Sequence, residues 1–448
     1  LVGSEMCIRD RARMPELLEQ FEENVTKRGG HVHWARDSKE ANEIIQGLIK
    51  ETGEDKVVKI KSMATQEIAL NDELEKAGIF AQETDLAELI VQLGEDFPSH
   101  ILVPAIHRNR AEIRDIFAAK MPNTDETLTQ EPAELAEAAR QYLRQQFMEA
   151  KVAISGANFG CADTGTVSIV ESEGNGRMCL TLPETLITVM GIEKLLPSFD
   201  DLGVFLQLLP RSSTGERMNP YTSLWSGVTE GDGPQNFHIV LLDNGRTAAM
   251  SNEIGREALK CIRCSACLNV CPVYERAGGH SYGSTYPGPI GAILTPQLTG
   301  IDSSDDPNGS LPYASSLCGR CNEVCPVKIP ITDILLELRY QKAKNEPNRM
   351  EQAAFASLAQ VWGRSNVWNR LVRMVALGRV LGGFNGKIET MPPPISGWTG
   401  YRDVAVPPKK SFRQWWETDE AKRLLSEARE QGIPNGQKVN TKPIEEEK

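Results

Sequence analysis

The 448-residue chain is predicted to fold as an N-terminal α/β domain, then a helical module organised around cysteines, then a small helical C-terminal domain. Three observations carry this. From about Met14, helix-periodic and strand-like segments alternate, which implies a mostly parallel sheet covered on both faces. Seven of the ten cysteines fall between Cys261 and Cys325. Beyond Asn345 the chain carries Trp362, Trp368, Trp398, Trp415 and Trp416, a proline run at Pro392 to Pro394 and a charged tail. The expected division is 14–248, 249–345 and 346–448, in keeping with two to three domains for this length. Residues 1–13 read as a spurious leader, because Leu1 to Arg11 lack an initial Met and share no period with the helix-periodic residues from Met14 onward. Cys7 goes with them.

Leu17, Leu18, Phe21 and Val25 form a helical stripe ending at Gly29 and Gly30, a C-cap signal. Asp37 with Glu40 reads as a capping box opening a helix that buries Ile44, Ile45, Leu48 and Ile49. Val57 to Ile60 and Ile101 to Val103 read as buried strands. Lys151 to Ser155, Thr166 to Glu171 and Met178 to Leu182 are strand candidates, joined by glycine-bearing turns at Gly156 to Gly165 and, as a hairpin, Gly174 to Gly176. Phe237 to Leu242 closes the α/β domain at the turn Asp243-Asn244-Gly245. In the cysteine module, Ile331, Ile334, Leu335 and Leu338 recur at helical spacing, with Thr332 as the expected cap. A loose linker is expected near residues 390 to 410, and a disordered tail after the helical appendage.

Hydrophobic content of 40% and charged content of 25% are ordinary for a globular protein. No stretch reaches the roughly 18 apolar residues of a membrane helix. A net charge of -12 argues against a nucleic-acid partner, whose phosphates call for clustered Lys and Arg. The expected location is the cytoplasm, or the inner face of the membrane reached through partners.

Cys261, Cys264, Cys267 and Cys271, followed by Pro272, spell C-x2-C-x2-C-x3-C-P. That is the bacterial ferredoxin run, in which three thiolates wrap one cubane and the fourth reaches to a second. The second site is Cys318, Cys321 and Cys325 before Pro326. Structural zinc fits these spacings poorly, and nothing at the N-terminus suggests an oxidising compartment. Under the crossover rule, Cys261, Cys264, Cys267 and Cys325 hold the first cluster, and Cys271, Cys318 and Cys321 hold the second. Aligning the two C-P ends puts Ser315 where a full motif would begin. The fourth corner of the second cluster is open: Ser315 or Ser316 oxygen, a distant thiol such as Cys161 or Cys179, or a three-iron cluster instead of a four-iron one.

Other candidates carry blander alternatives. Asp163 to Thr166 could form a ligand loop at strand ends, although a plain turn is the commoner outcome. His107 beside Arg108 and Arg110, after the Ile101 to Val103 strand, is the candidate base and carboxylate clamp, against an ordinary solvated loop. His31 and His33 alternate on a strand without a third ligand and read as structural. Cys161 and Cys179 read as buried small hydrophobes, Cys161 keeping a chance of ligation. No complete flavin or nicotinamide fingerprint is present.

The combination resembles a known family. The α/β domain holds Lys59-Ile60-Lys61-Ser62-Met63, Glu83-Thr84-Asp85-Leu86 and Ile101-Leu102-Val103-Pro104-Ala105. Between the cysteine motifs lie Gly278-Gly279-His280-Ser281-Tyr282-Gly283 and Tyr286-Pro287-Gly288-Pro289-Ile290-Gly291, and the chain closes on Ser411-Phe412-Arg413-Gln414-Trp415-Trp416. From residue 14 to about 420 it resembles the lactate utilisation protein B family, iron-sulfur subunits of a bacterial three-protein L-lactate oxidation system. The resemblance implies an α/β domain similar to the sugar-isomerase and CoA-transferase (NagB/RpiA-like) fold, a ferredoxin-like module with two 4Fe-4S clusters, and a family-specific C-terminal domain. It implies two partners, a cysteine-rich subunit and a smaller one sharing the α/β domain. The expected function is electron transfer in the oxidation of L-lactate to pyruvate. The alternatives are that the α/β domain itself binds and oxidises a hydroxy acid, or that the clusters are structural in an assembly scaffold.

Overall fold

A computed structural model describes residues 13–122, 124, 127–301, 307–345, 347, 349–375, 378, 379, 382, 386–391, 396–400 and 402–430. The leader with Cys7, the run Pro392 to Pro394 and the tail from residue 431 lie outside the described residues. The chain divides into two compact units, with the boundary between residues 346 and 347.

Among the described residues the first unit is built on ten strands: β1 (Gly30–Ala35), β2 (Lys56–Lys59), β3 (Phe80–Glu83), β4 (Val152–Gly156), β5 (Phe159–Cys161), β6 (Thr166–Glu171), β7 (Thr185–Gly191), β8 (Leu195–Leu196), β9 (Tyr221–Trp225) and β10 (Asn236–Leu242). Six form one wholly parallel sheet in the order β1-β10-β7-β4-β2-β3. Successive side chains alternate between its faces. Val58, Ala153, Leu186, Ile239 and Leu241 join one core, under the helices Met14–Lys27 and Pro132–Glu149. Val57, Val152, Ile154, Ile187, Val189 and Val240 join the other, under Ser38–Thr52 and Leu70–Lys76. Both faces are therefore covered, as the near-continuous apolar runs predict. The remaining four strands make a separate sheet in the order β8-β5-β6-β9, which the sequence did not set apart.

Several local expectations are corrected. Met178 to Leu182 is not a strand: Met178 to Thr181 complete the helix Asn175–Thr181 and Leu182 is its C-cap, with Gly174, at φ +89°, turning the chain and Gly176, Cys179 and Leu180 recurring at helical spacing on the buried side. No hairpin forms there. Ile101 to Val103 is an irregular loop, because the N–H groups of Leu102 and Val103 both donate to His100 Nδ1 at 3.0 Å and not to a neighbouring strand. The Asp37 box is half formed. Asp37 accepts from Glu40 N, while the Glu40 carboxylate takes the N–H of Arg36, one residue early.

The cysteine module packs as a third core, joining Ile262, Leu268 and Ile290 to Leu335 and Leu338 of the helix Ile331–Asn345. Thr332 lies inside that helix, not before it. Its N–H is met instead by Asn322 Oδ1 at 3.1 Å, and its hydroxyl accepts from Asn322 Nδ2 at 2.7 Å, so the second cysteine motif caps the next helix in the chain. Ile101 and Phe159 of the α/β domain belong to this same core.

The second unit is mainly helical, with Arg349–Trp362, Ser365–Val375, Phe412–Trp416 and Asp419–Glu430 and one two-residue antiparallel pairing. Ser411 opens its short helix with a reciprocal capping box to Gln414.

Candidate metal centre

The seven clustered cysteines fall into two electrostatic sets. Burial pushes the Cys264 thiol up to about 12, and charge on Cys261 and Cys325 would push it further. Cys267 is raised well above its ordinary value by burial and by Cys261, Cys264 and Cys325. Cys325 is raised by burial and then by Cys261. Separately, burial raises Cys321 to about 11, with Cys271 and Cys318 adding to it. The fold thus brings Cys325 to the first three cysteines and Cys271 to the second motif. Among the described residues all nine cysteines are free thiols. Cys318 is the exposed one, its thiol lowered by the N–H of Arg320 and then by the Ser316 hydroxyl.

The donor set suits iron-sulfur clusters. Three of the seven sulfurs accept a backbone N–H in direct geometry: Arg263 N reaches Cys261 Sγ at 3.3 Å, Tyr274 N reaches Cys271 Sγ at 3.5 Å and Ile329 N reaches Cys325 Sγ at 3.3 Å. The backbone N–H groups of Ala266, Ile290, Arg320 and Asn322 act to lower the thiols of Cys264, Cys267, Cys318 and Cys321. Such bonds favour the thiolate and are the protein's means of tuning a bound cluster. Left-handed backbone makes them reachable: Arg263 (φ 63°) and Ser265 (φ 64°) flank Cys264, and Leu317 (φ 56°) and Gly319 (φ 83°) flank Cys318.

Cys161 lies in the core that holds the cysteine module and Cys179 in the core under the helix Met14–Lys27. Cys161, raised to about 12 by burial, feels Asp163 and Asp201, and Cys179 lies against Thr84 Oγ1 at 3.5 Å. Ser315 and Ser316, by contrast, lie directly before the second motif. Ser315 Oγ accepts the N–H of Leu317 at 3.1 Å.

The first cysteine loop is anchored to the α/β domain by buried ions. Arg246, just beyond β10, donates to Glu193 Oε2 at 2.5 Å and to both oxygens of Glu67 at 2.8 and 2.9 Å. Burial alone would raise Glu193, but Arg246, Lys194 and Arg263 together bring it down to about 2. Arg263 lies over the Tyr286 ring at 4.2 Å, and Tyr286 donates to Glu67 Oε2 at 2.6 Å. Lys194 Nζ donates to the Cys261 carbonyl at 2.6 Å. These residues are far apart in sequence, and sequence reasoning missed all of them except Tyr286, which opens one of the motifs between the cysteine runs.

At the carboxyl ends of β2, β4 and β7 lies a cavity of about 360 Å³ lined by Lys61, Glu173, Arg246, Ile262, Arg263 and Tyr286 among others. This is where open parallel sheets take ligands. Arg263 Nη1 is buried with no hydrogen-bond partner among the described residues. His107 does not line this cavity. Its Nε2 meets Asp96 Oδ2 at 2.8 Å, its Nδ1 meets Ser99 Oγ at 2.7 Å, and its ring stands edge-on to His280 at 4.5 Å. Asp96, His107 and His280 bring three ligand atoms within 4.8 Å, yet Arg108 binds the same Asp96 oxygen and sets a fixed positive charge where a cation would sit.

Asp163 to Gly165 lie in a turn clasped by Asn24, which donates to the Ala162 and Asp163 carbonyls, and Thr166 opens β6. His31 and His33 do meet a third imidazole, His238 on the neighbouring strand. His33 Nε2 lies 3.1 Å from His238 Nδ1, and burial followed by the two other rings lowers His238 to about 4.

A family model described as the LUD domain matches residues 18–242, and one described as a 4Fe-4S dicluster domain matches residues 257–329. The chain is 44% identical over 422 residues to "Lactate utilization protein B" of Oceanobacillus iheyensis, covering 93% of this chain and 86% of the relative. It is 44% identical over 416 residues to the protein of the same name from Bacillus subtilis, covering 92% and 85%.

Proposed function

The chain belongs to the lactate utilization protein B family, with a role in lactate utilization and iron-sulfur electron transfer, and from that premise we propose that it is the electron-transfer subunit for oxidation of L-lactate to pyruvate. Two 4Fe-4S clusters belong to its dicluster domain. Bound there, they supply one-electron transfer.

We assign Cys261, Cys264, Cys267 and Cys325 to the first cluster, and Cys271, Cys318 and Cys321 to three corners of the second. The observation that carries this assignment is the crossing of Cys325 and Cys271 between the two thiol sets. The chain's own residues would place seven sulfurs at the two clusters and present N–H groups to them, with Cys264, Cys321 and Cys325 buried, Cys261, Cys267 and Cys271 half-buried and Cys318 exposed. That exposed edge suits a docking partner. The partners proposed are the other subunits of a lactate utilization system, one cysteine-rich and one sharing the α/β domain. Among the described residues no helix is long and apolar enough to cross a membrane.

Purified chain tests the reading: about eight irons with matching sulfide, and visible absorbance bleached by L-lactate once the partner subunits are added. Colourless, zinc-bearing protein would overturn it. Clusters that lactate never reduces with all partners present would favour the scaffold reading.

A second reading is supported by the cavity beside the first cysteine loop, where the α/β domain would bind a hydroxy acid. Its carboxylate would meet the unpartnered Arg263 Nη1, with Lys61 across the cavity. His107, outside the cavity, has no part in this. Equilibrium dialysis of the loaded chain with labelled L-lactate tests it, and absence of saturable binding rejects it.

A further inference from the structure

The second cysteine motif repeats the first with one substitution, and the repetition extends to backbone detail. Counting back from the C-P ends, Cys318 corresponds to Cys264 and Ser315 to Cys261. The residues flanking Cys264 and Cys318 are left-handed in both loops, a conformation costly enough outside glycine to mark a specific demand on the backbone. At Cys261 the sulfur accepts the N–H of Arg263, two residues on, at 3.3 Å, and at Ser315 the hydroxyl oxygen accepts the N–H of Leu317, again two residues on, at 3.1 Å. Both carbonyls are held by a cationic side chain. Cys261 O accepts from Lys194 Nζ at 2.6 Å, and Ser315 O accepts from Arg339 Nη2 at 3.1 Å. Arg339 also donates to Pro312 O at 2.8 Å, so the approach to Ser315 is fixed from the helix Ile331–Asn345.

A four-iron cluster has four corners, and the second thiol set offers three sulfurs. We propose that the Ser315 hydroxyl oxygen is the fourth ligand of the second cluster, occupying the place that Cys261 sulfur takes in the first. Binding forms an iron–Oγ bond, breaks the bond from that iron to a solvent molecule, and releases the hydroxyl proton to solvent. The Leu317 N–H then serves the alkoxide as the Arg263 N–H serves the Cys261 thiolate. Ser316 is not the ligand in this correspondence, because it falls at the place of Ile262, one residue beyond the ligand position of the first loop. Cys161 faces Asp163 and Asp201, and Cys179 lies against Thr84 Oγ1, so neither has the backbone correspondence that Ser315 has with Cys261.

This inference rests on the second motif holding a cluster. Iron and sulfide analysis of the unaltered chain tests that separately: about four irons instead of about eight would remove the cluster itself, not merely its serine ligand. Given both clusters, Ser315→Ala should lose about one iron per chain and show the EPR signal of an oxidised three-iron cluster at up to one spin per chain, while Ser316→Ala keeps both clusters. Ser315→Cys should retain all the irons. In ⁵⁷Fe Mössbauer spectra, the one iron of larger isomer shift expected from oxygen ligation should vanish in Ser315→Cys. Full iron with no three-iron signal in Ser315→Ala would overturn the proposal. So would an unchanged Mössbauer spectrum in Ser315→Cys, the arm that decides should the alanine variant fail to fold, or a stoichiometric three-iron signal in the unaltered chain.

Discussion

Arg246→Met removes the cation on which two buried carboxylates depend. Arg246 and Glu193 side chains are each 1% exposed and Glu67 is 8% exposed, so water cannot replace the lost hydrogen bonds. Arg246 is the largest of the charges that bring Glu193 from 4.5 to about 2, a change worth about 3 kcal/mol in all. Removing one partner from a buried ion pair costs about 3–5 kcal/mol by a separate route, in reasonable agreement. The pH dependence should change sign. In the unaltered chain, the lowered carboxyls add stability above their unfolded value near 4.5 that is lost as pH falls toward 2. In the variant both carboxyls rise, so stability is greatest at low pH and declines as pH climbs through their new values. Urea unfolding followed by circular dichroism should give a deficit of about 3–5 kcal/mol at pH 7.5, shrinking toward pH 5. A deficit below about 1 kcal/mol, or one independent of pH, would refute the reasoning.

Further outcomes are expected. Cys271→Ala should remove the second cluster's EPR signal and spare the first, with Cys325→Ala doing the reverse; either variant losing the cluster of its own motif would reject the crossover. Gly279→Ala should cost about 1–3 kcal/mol in unfolding free energy, because a Cβ there overlaps the Ser99 carbonyl, which also accepts from Tyr274 Oη at 2.8 Å. Glu88, 3% exposed, is pushed up to about 7 by burial and then by Glu83. Its raised value favours the fold below about pH 4.5 and loses that contribution as pH rises through 7, so Glu88→Gln should flatten the stability curve between pH 5 and 8. An unaltered slope would show that Glu88 titrates normally.

The parallel sheet was legible because strands buried on both faces, such as Val57 to Ile60 and Phe237 to Leu242, leave continuous apolar runs. The cysteine motifs were legible because cluster spacing is a local property of the chain. Other features depended on distant partners. Ile101 to Val103 has the composition of a strand, but an imidazole takes the N–H groups of Leu102 and Val103, and Ile101 docks on the cysteine module. Met178 to Leu182 is too short for its helical period to stand out. The ion network joins Glu67, Glu193, Arg246 and Arg263, whose separations no window spans. A partial signal existed in the charged residues of otherwise apolar segments: Lys59 and Glu83, adjacent in register, form a buried 2.6 Å pair, and Lys61 and Asp85 just beyond them line the cavity. His238, the third imidazole beside His31 and His33, lay over two hundred residues away.

Arg263 sits between two cysteines by sequence and among the α/β domain's acids by contact, 3.7 Å from Glu193 and stacked on Tyr286. The two domains are therefore not interchangeable parts. A ferredoxin-type segment grafted from another protein would have to bring an arginine two residues after its first cysteine and a tyrosine at the place of Tyr286. Without them, Glu193 would lose the Arg263 charge and Glu67 the Tyr286 hydrogen bond, leaving Arg246 to carry more of both. A recombination event that joined such modules would need those side chains at once, and surveys of hybrid chains should find the cysteine segment and the sheet exchanged together or not at all.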